Sequence, residues 1–228
     1  MKAQCAAMTK TNDILNRLRA AGSAENVAGM ARYGIRPAKA YGVATPVIRS
    51  IAKDLGRNPE LASALWSTKV LEARMLATMI ADPLQIPEEE VERWAREFDC
   101  WSVCDSACIG LLWKTPFAWR KVREWSRRKP EYERRAAFAL LAGLAVHDKK
   151  APDKQFHAAL RLISKAAGDD RNFVKKAVNW ALRQIGKRNP ELREAAIEIA
   201  ESLIATDSRS ARWIGRDALR ELRRKAAP

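Results

Sequence analysis

X-Pro dipeptides recur along this chain, and they constrain its fold more than any other feature. Proline suits the first turn of a helix, and its ring pushes the preceding residue out of helical geometry. Between these joints apolar residues recur at helical spacing, whereas the two-residue alternation of strands is hard to find. The joints end at Pro46, Pro59, Pro83, Pro87, Pro116, Pro130, Pro152 and Pro190.

This pattern predicts an all-α fold. Successive helix pairs of about 35–40 residues match the size of HEAT or armadillo units. We therefore predict an α-solenoid of antiparallel helix pairs with a concave basic face, forming one domain over residues 1–228. A compact helical bundle is the alternative, because sequence identity between the units is low. The predicted helices cover residues 10–21, 24–33, 46–56, 58–66, 68–81, 87–97, 101–112, 116–127, 130–146, 153–166, 170–187, 190–205 and 208–225.

The charge balance indicates a polyanionic partner. Lys and Arg number 42 against 27 Asp and Glu, which gives a net charge of +15. The excess is spread over the whole length, without a separate basic tail, so a folded positive surface is the favoured interpretation. Solubility alone is the alternative, although it seldom needs so large an imbalance.

No segment suggests a membrane or a secretory route. The longest apolar run, residues 136–146, is too short to span a bilayer, and residues 1–21 lack the apolar block of a signal peptide. We therefore expect a cytoplasmic protein, associated with the nucleoid if the source is a prokaryote.

The four cysteines, at positions 5, 100, 104 and 108, are too unevenly placed for a secreted disulfide framework. Cys100, Cys104 and Cys108 recur at four-residue steps, but zinc sites usually draw ligands from two elements. We therefore favour the interpretation that these cysteines are buried small hydrophobes.

A phosphate-cradling Gly-rich loop and a Ser-His-Asp set are both missing from the sequence. We expect no metal and no nucleotide cofactor.

The segment from Arg171 to Lys187 predicts a helix with two distinct faces. A face that mixes cations with an indole suits the phosphates and the bases or sugars of a nucleic acid. The alternative is a Trp covering the core beside solvated cations. The apolar face carries Phe173, Ala177, Ala181 and Ile185, and the basic face carries Lys176, Trp180, Arg183 and Lys187.

A second helix places a carboxylate beside an indole. Trp101 and Asp105 are one helical turn apart and share a face, whereas Val103 and Ala107 lie on another side, as core residues do. A carboxylate that faces phosphates lowers affinity, so Asp105 on such a face should have a compensating role. Its alternative role is a helix cap or an ion pair near the helix start.

Further candidates lie nearer the N-terminus. Thr45-Pro46 begins a helix, whose free N–H groups together with Arg49 form a plausible phosphate cradle. Tyr33 either stacks and hydrogen-bonds with a ligand or is half-buried packing at a helix end. Arg135 is expected at the boundary between the core and the concave surface.

The last predicted helix carries a basic stripe with Trp213 beside it. A solvated face is the default interpretation of this stripe, and a terminal DNA clamp is its rival. The stripe consists of Arg209, Arg212, Arg216, Arg220 and Arg223.

Five segments in this order resemble the AlkD-like DNA alkylation-repair glycosylases, a HEAT-like family. The resemblance extends from about residue 24 to residue 222. The segments are MARY ending at Tyr33, GVATPVIR at 42–49, WSVCD at 101–105, RRAAF from Arg134 and FVKKAVNWALR at 173–183.

The resemblance implies an enzyme that hydrolyses the N-glycosidic bond of N3- or N7-alkylated purines in duplex DNA. We expect it to be a monomeric, monofunctional enzyme without a cofactor. In that family a Trp, an Asp one turn later and a second Trp surround the deoxyribose, which gives these roles to Trp101, Asp105 and Trp180. Tyr33, Arg135 and Arg183 match positions that the family uses near the DNA backbone and the site.

The resemblance has a departure and leaves rivals open. Ser102 stands where the family often has an acidic residue. Some members lack glycosylase activity, so a non-catalytic protein that binds branched or distorted DNA is the alternative. A helical scaffold for an acidic protein or for RNA is a second one.

The residues suit the implied chemistry independently. An N3- or N7-alkylated purine is already cationic and departs without protonation, so no general acid is needed. The sugar then develops oxocarbenium character, which a nearby carboxylate stabilises while it orients water. Asp105 is the expected carboxylate.

Overall fold

The computed structural model describes the backbone of residues 2–224 and the side chains of residues 9–224, so Cys5 lies outside the described side chains. Over that range the chain forms thirteen α-helices and two short 3-10 turns, Ala31–Tyr33 and Leu112–Lys114, without a strand, which confirms the all-α prediction. The helices are α1 Lys2–Ala20, α2 Ala24–Met30, α3 Thr45–Leu55, α4 Pro59–Ser67, α5 Leu71–Ile80, α6 Glu88–Arg96, α7 Trp101–Gly110, α8 Ala118–Trp125, α9 Glu131–His147, α10 Asp153–Ala166, α11 Asn172–Gly186, α12 Pro190–Ile204 and α13 Arg209–Arg224.

Proline starts several of these helices, as the sequence predicts. Helices α3, α4 and α12 carry proline in their first turn. Asn58 and Asn189 cap α4 and α12, because their side chains accept hydrogen bonds from the N–H groups of Leu61 and Leu192. Each such cap contributes about 1 kcal/mol to stability.

Several predicted helix boundaries were wrong, and the largest error is in α1, which begins at Lys2 rather than at residue 10. Helix α5 begins at Leu71 rather than at residue 68, since Lys69 has a φ of 58°, a left-handed conformation that no helix continues through. Helix α7 ends at Gly110, and the predicted last turn is a 3-10 turn. Helix α2 likewise gives way to a 3-10 turn after Met30.

The chain divides into two compact units, Met1–Thr115 and Pro116–Pro228. In the first unit, the rings of Trp66 and Trp94 stack with centroids 4.2 Å apart. Cys100, Cys104 and Cys108 are fully buried, which confirms the prediction that they pack as small hydrophobes. Desolvation raises the pKa of the Cys100 thiol.

In the second unit, α9, α11 and α13 run side by side with a repeat of 38 residues. Arg135 contacts Phe173, Asn179 contacts Asp217 and Arg183 contacts Glu221, each pair 38 residues apart. Because contacting residues are always 38 positions apart, neighbouring helices are parallel and in register. The separation of 38 residues agrees with the predicted unit length of about 35–40 residues. Within residues 2–224 no helix is both long enough and apolar enough to cross a bilayer.

Candidate functional site

A pocket of about 380 Å³ in the first unit contains four of the predicted site residues: Thr45, Arg49, Trp101 and Asp105. Its walls come from α3, α5 and α7 and from the segment that follows α2. The remaining lining residues are Met30, Ile35, Val43, Leu71, Glu72, Met75, Met79, Ser102, Ser106 and Ile109.

Trp101 is held in place by the backbone near Tyr33. Its indole Nε1 donates a hydrogen bond of 2.8 Å to the carbonyl oxygen of Tyr33, and this bond joins α7 to the 3-10 turn after α2. Tyr33 is 71% exposed, so half-buried packing was the wrong alternative for it. The exposed ring is accessible to a ligand.

Asp105 lies in the second turn of α7, half-buried, against the pocket. Cys100 is the N-cap residue of α7, and the first turn has no acidic residue, so Asp105 is not a helix cap. Val103 and Ala107 are fully buried, as predicted for the core side of this helix.

Thr45 and Arg49 bring positive potential to the same pocket. Helix α3 starts at Thr45, and its N-cap residue, Ala44, supplies no side-chain cap. Pro46 has no N–H group, and the N–H groups of Val47 and Ile48 donate to the carbonyl oxygen of Ala44 at 3.0 and 3.3 Å. What the start of α3 offers an anion is therefore the positive end of the helix dipole. Arg49 is exposed one turn later and makes no ion pair within residues 9–224.

Glu72 is a residue of this site that the sequence reasoning missed. It is 1% exposed, and its carboxylate accepts hydrogen bonds from the backbone N–H groups of Tyr41, Gly42 and Val43 at 3.0, 2.6 and 3.3 Å. Gly42 has a φ of 77°, and a Cβ there would lie 2.1 Å from a backbone oxygen of Ser23. Glu72 thus fixes the loop that leads into α3. An acidic residue inside the apolar segment 70–81 was the available signal.

In the second unit, the predicted basic face of α11 is partly neutralised. Lys176 is exposed and Trp180 is half-buried, whereas Arg183 and Lys187 both bind Glu221, at 2.5 and 2.8 Å. Burial alone would raise the pKa of Glu221. The hydrogen bonds and positive charges of Lys187 and Arg183 lower it by more, so the pKa of Glu221 lies below its usual value. Glu221 is therefore ionised at neutral pH, and the three groups together carry one positive charge.

Arg135 is buried rather than at a surface boundary. Only 6% of it is exposed, and its Nη1 donates a 2.7 Å hydrogen bond to the carbonyl oxygen of Phe173, in the first turn of α11. This contact supports the start of α11 and leaves little guanidinium surface for a phosphate. Direct contact of Arg135 with DNA stays a prediction.

The predicted residues thus fall into two groups. Thr45, Arg49, Trp101 and Asp105 line one pocket in the first unit, and the backbone of Tyr33 is bonded to Trp101 beside them. The other five residues lie on α9, on α11 or at the C-terminal cap of α11, all in the second unit: Arg135, Lys176, Trp180, Arg183 and Lys187.

Groups of opposite charge line the pocket in the first unit. An uncapped helix start and Arg49 suit an anion such as a phosphate, and the Asp105 carboxylate with the Trp101 indole suits a cationic, ring-shaped group. Within residues 9–224 no group of three or more His, Cys, Asp or Glu side chains could hold a metal ion.

Comparisons with known proteins agree on a family and a fold. A family model described as DNA alkylation repair enzyme matches residues 14–222. A solved structure, described as a new family of proteins related to the HEAT-like repeat DNA glycosylases with affinity for branched DNA structures, matches with a TM-score of 0.79. It is 22% identical, and the match covers 94% of each chain. This likeness confirms the predicted HEAT-like fold class.

A designed armadillo repeat protein in complex with the peptide (KR)4 matches 75% of this chain and 72% of its own, at 15% identity and a TM-score of 0.38. No curated protein matches the chain.

Proposed function

The chain belongs to the family of DNA alkylation repair enzymes, and from this premise we propose that it is a DNA glycosylase. Its substrate would be duplex DNA that carries N3- or N7-alkylated purines, and it would hydrolyse the bond between the purine and the deoxyribose. One observation carries the proposal: Asp105 and Trp101 line the same pocket as Arg49 and the uncapped start of α3.

The chemistry starts from a base that is already cationic. As the bond between C1′ and the purine nitrogen lengthens, its electron pair moves onto the base, which leaves neutral. Positive charge then grows at C1′ and the ring oxygen, and the Asp105 carboxylate stabilises it. Water adds to C1′ and loses a proton to Asp105 or to solvent, which leaves an abasic site.

The other pocket residues hold the nucleotide. The first turn of α3, from Thr45, and the guanidinium of Arg49 would bind phosphates that flank the lesion. The Trp101 ring, fixed by its bond to the Tyr33 carbonyl, would pack against the cationic sugar. Trp180, Lys176 and Arg183 are proposed as DNA contacts of the second unit.

The decisive experiment measures base release. Duplex DNA methylated by a simple alkylating agent is incubated with the protein, and free 7-methylguanine and 3-methyladenine are quantified while alkali cleaves the abasic sites. Release of these bases supports a glycosylase. Binding of the same duplex without release would refute the catalytic proposal.

Binding without base release is the result expected of the alternative, a non-catalytic DNA-binding role. It is favoured by the solved structure that matches along 94% of the chain and is described as having affinity for branched DNA. A protein of that kind would bind a four-way junction more tightly than a duplex of equal length and would release no base. Competition with RNA and with an acidic polypeptide tests the scaffold alternative.

Trp101→Phe should slow base release by about threefold to tenfold, because it removes one hydrogen bond worth about 1 kcal/mol and lets the ring move. Single-turnover rates on methylated duplex measure the effect. Trp119→Phe is the matched control, since it also removes an indole bond, the one to Asp148 in the second unit. Equal rates for both variants would contradict a positioning role for the Trp101 bond.

Glu221→Gln should tighten duplex binding severalfold at low salt. The change removes the carboxylate that binds Arg183 and Lys187, so Lys187 becomes available to phosphates and Arg183 keeps only Asp217, 3.9 Å from its Nε. Fluorescence anisotropy with undamaged duplex measures the dissociation constant. Glu198→Gln, on the exposed side of α12, changes the net charge equally. If it tightens binding as much, the basic face of α11 is not the contact.

A further inference from the structure

Helix α13 carries a second cluster of cations around an exposed indole, apart from the residues assigned above. Its arginines border a shallow depression of about 380 Å³ in the second unit. Trp213, in the same depression, is 39% exposed. The lining residues are Arg209, Arg212, Trp213, Arg216, Asp217 and Arg220.

The register with α11 adds a further cation to this cluster. Ser210 Oγ donates a 2.9 Å hydrogen bond to the carbonyl oxygen of Asp169, just before α11, and Asn179 Nδ2 donates to Asp217 at 2.6 Å. The two helices therefore run parallel. Lys175 of α11 lies beside Trp213, with its Nζ 5.1 Å from the ring centroid.

Most of the positive charge in this cluster is not neutralised. Asp217, the one acid that borders the depression, is bound by Asn179 and Arg220 and also lies 3.9 Å from Arg183 Nε. Within residues 9–224, Arg209 and Arg216 make no ion pair. Arg212 donates to the backbone carbonyl of Thr206, which leaves its charge in place.

Helix stability does not explain these cations. Arg209 is the first residue of α13, where the positive end of the helix dipole disfavours a cation. The preceding helix, α12, has the usual arrangement instead, with the Asn189 cap and Glu191 in its first turn. A cation at an unfavourable position beside an exposed indole is better explained by an anionic ligand that contains rings or sugars.

We propose that Lys175, Arg209, Arg212, Trp213 and Arg216 form a second DNA-backbone site. The three arginines hold successive phosphates along one strand, and the indole packs against the deoxyribose between them. The proposal rests on the proposed function only in that its ligand is DNA. It adds phosphate contacts that are independent of base release.

The test is the salt dependence of binding to undamaged duplex. For the double variant Arg209→Ala and Arg216→Ala, the slope of log K against log salt should become shallower by about 2, since each lost phosphate contact changes it by about 1. Fluorescence anisotropy between about 50 and 200 mM salt gives the slope. Trp213→Ala should weaken binding about threefold to tenfold with an unchanged slope, because the indole is neutral.

The control removes the same charge from another helix. Arg161→Ala with Lys165→Ala changes two exposed cations of α10 and should leave the slope near the wild-type value. An unchanged slope in the α13 variant, or an equal loss in the α10 variant, would overturn the site. Wild-type base release is measured separately. If the wild type releases bases but the α13 variant leaves the salt slope unchanged, the α13 site is refuted and the glycosylase proposal stands. If the slope changes but the wild type releases no base, the glycosylase proposal is refuted and the α13 site stands.

Discussion

Asp105→Asn should lower the rate of base release by at least about a hundredfold, the effect expected when one preorganised charge is removed from a reaction centre. The substitution keeps the size of the side chain and removes the negative charge that stabilises the oxocarbenium-like sugar. Duplex binding should persist or tighten, because a carboxylate near phosphates repels them. Single-turnover release of 7-methylguanine and anisotropy on the same duplex measure the two effects.

Asp13→Asn is the matched control for this prediction. Asp13 is exposed on α1 and does not line the pocket, so the change has the same effect on net charge outside the site. Its release rate should equal that of the wild type. If Asp105→Asn also releases base at the wild-type rate, Asp105 has no part in the chemistry.

The helices could be predicted because their signals are local. Proline and asparagine at 58–59 and 189–190 set two helix starts through contacts within a few residues. Apolar spacing then identified the buried faces, as Ala177, Ala181 and Ile185 on α11 illustrate. The predicted start of α5 was wrong because Lys69 adopts a left-handed conformation, which its residue type does not indicate.

The electrostatics of the site could not be predicted, because they depend on partners far apart in sequence. Glu221 lies 38 residues from Arg183, and only the parallel register of α11 and α13 brings them together. The sequence pattern assigned Arg183 and Lys187 to DNA without the carboxylate that they share. Burial of Arg135 has the same origin, since its partner is a carbonyl of the next repeat.

The candidate pocket was partly visible in the sequence. Trp101 and Asp105 share a helix face, and Thr45 and Arg49 share another, so each pair follows from spacing alone. The two pairs line one pocket because α3 and α7 both pack on α5. The spacing of residues within a helix does not predict this packing. The contribution of Glu72 depends on the same packing.

Glu72→Ala should destabilise the protein by about 3 kcal/mol or more, since it leaves three backbone N–H groups without their acceptor in a buried site. At about 2–4 °C per kcal/mol for a chain of this size, the Tm should fall by roughly 6–12 °C. Calorimetry measures the Tm. Amide hydrogen exchange at Tyr41, Gly42 and Val43 should accelerate more than the global loss of stability requires.

The loop also connects this loss of stability to function, because it leads directly into Thr45 and the first turn of α3. Base release should therefore fall in Glu72→Ala even at temperatures where the chain is folded. Glu72→Gln keeps one acceptor oxygen and should give an intermediate Tm. Glu198→Ala, an exposed acid on α12, should change stability by less than about 0.5 kcal/mol. A Tm for Glu72→Ala within the range of that control would show that the three hydrogen bonds do not hold the loop in solution.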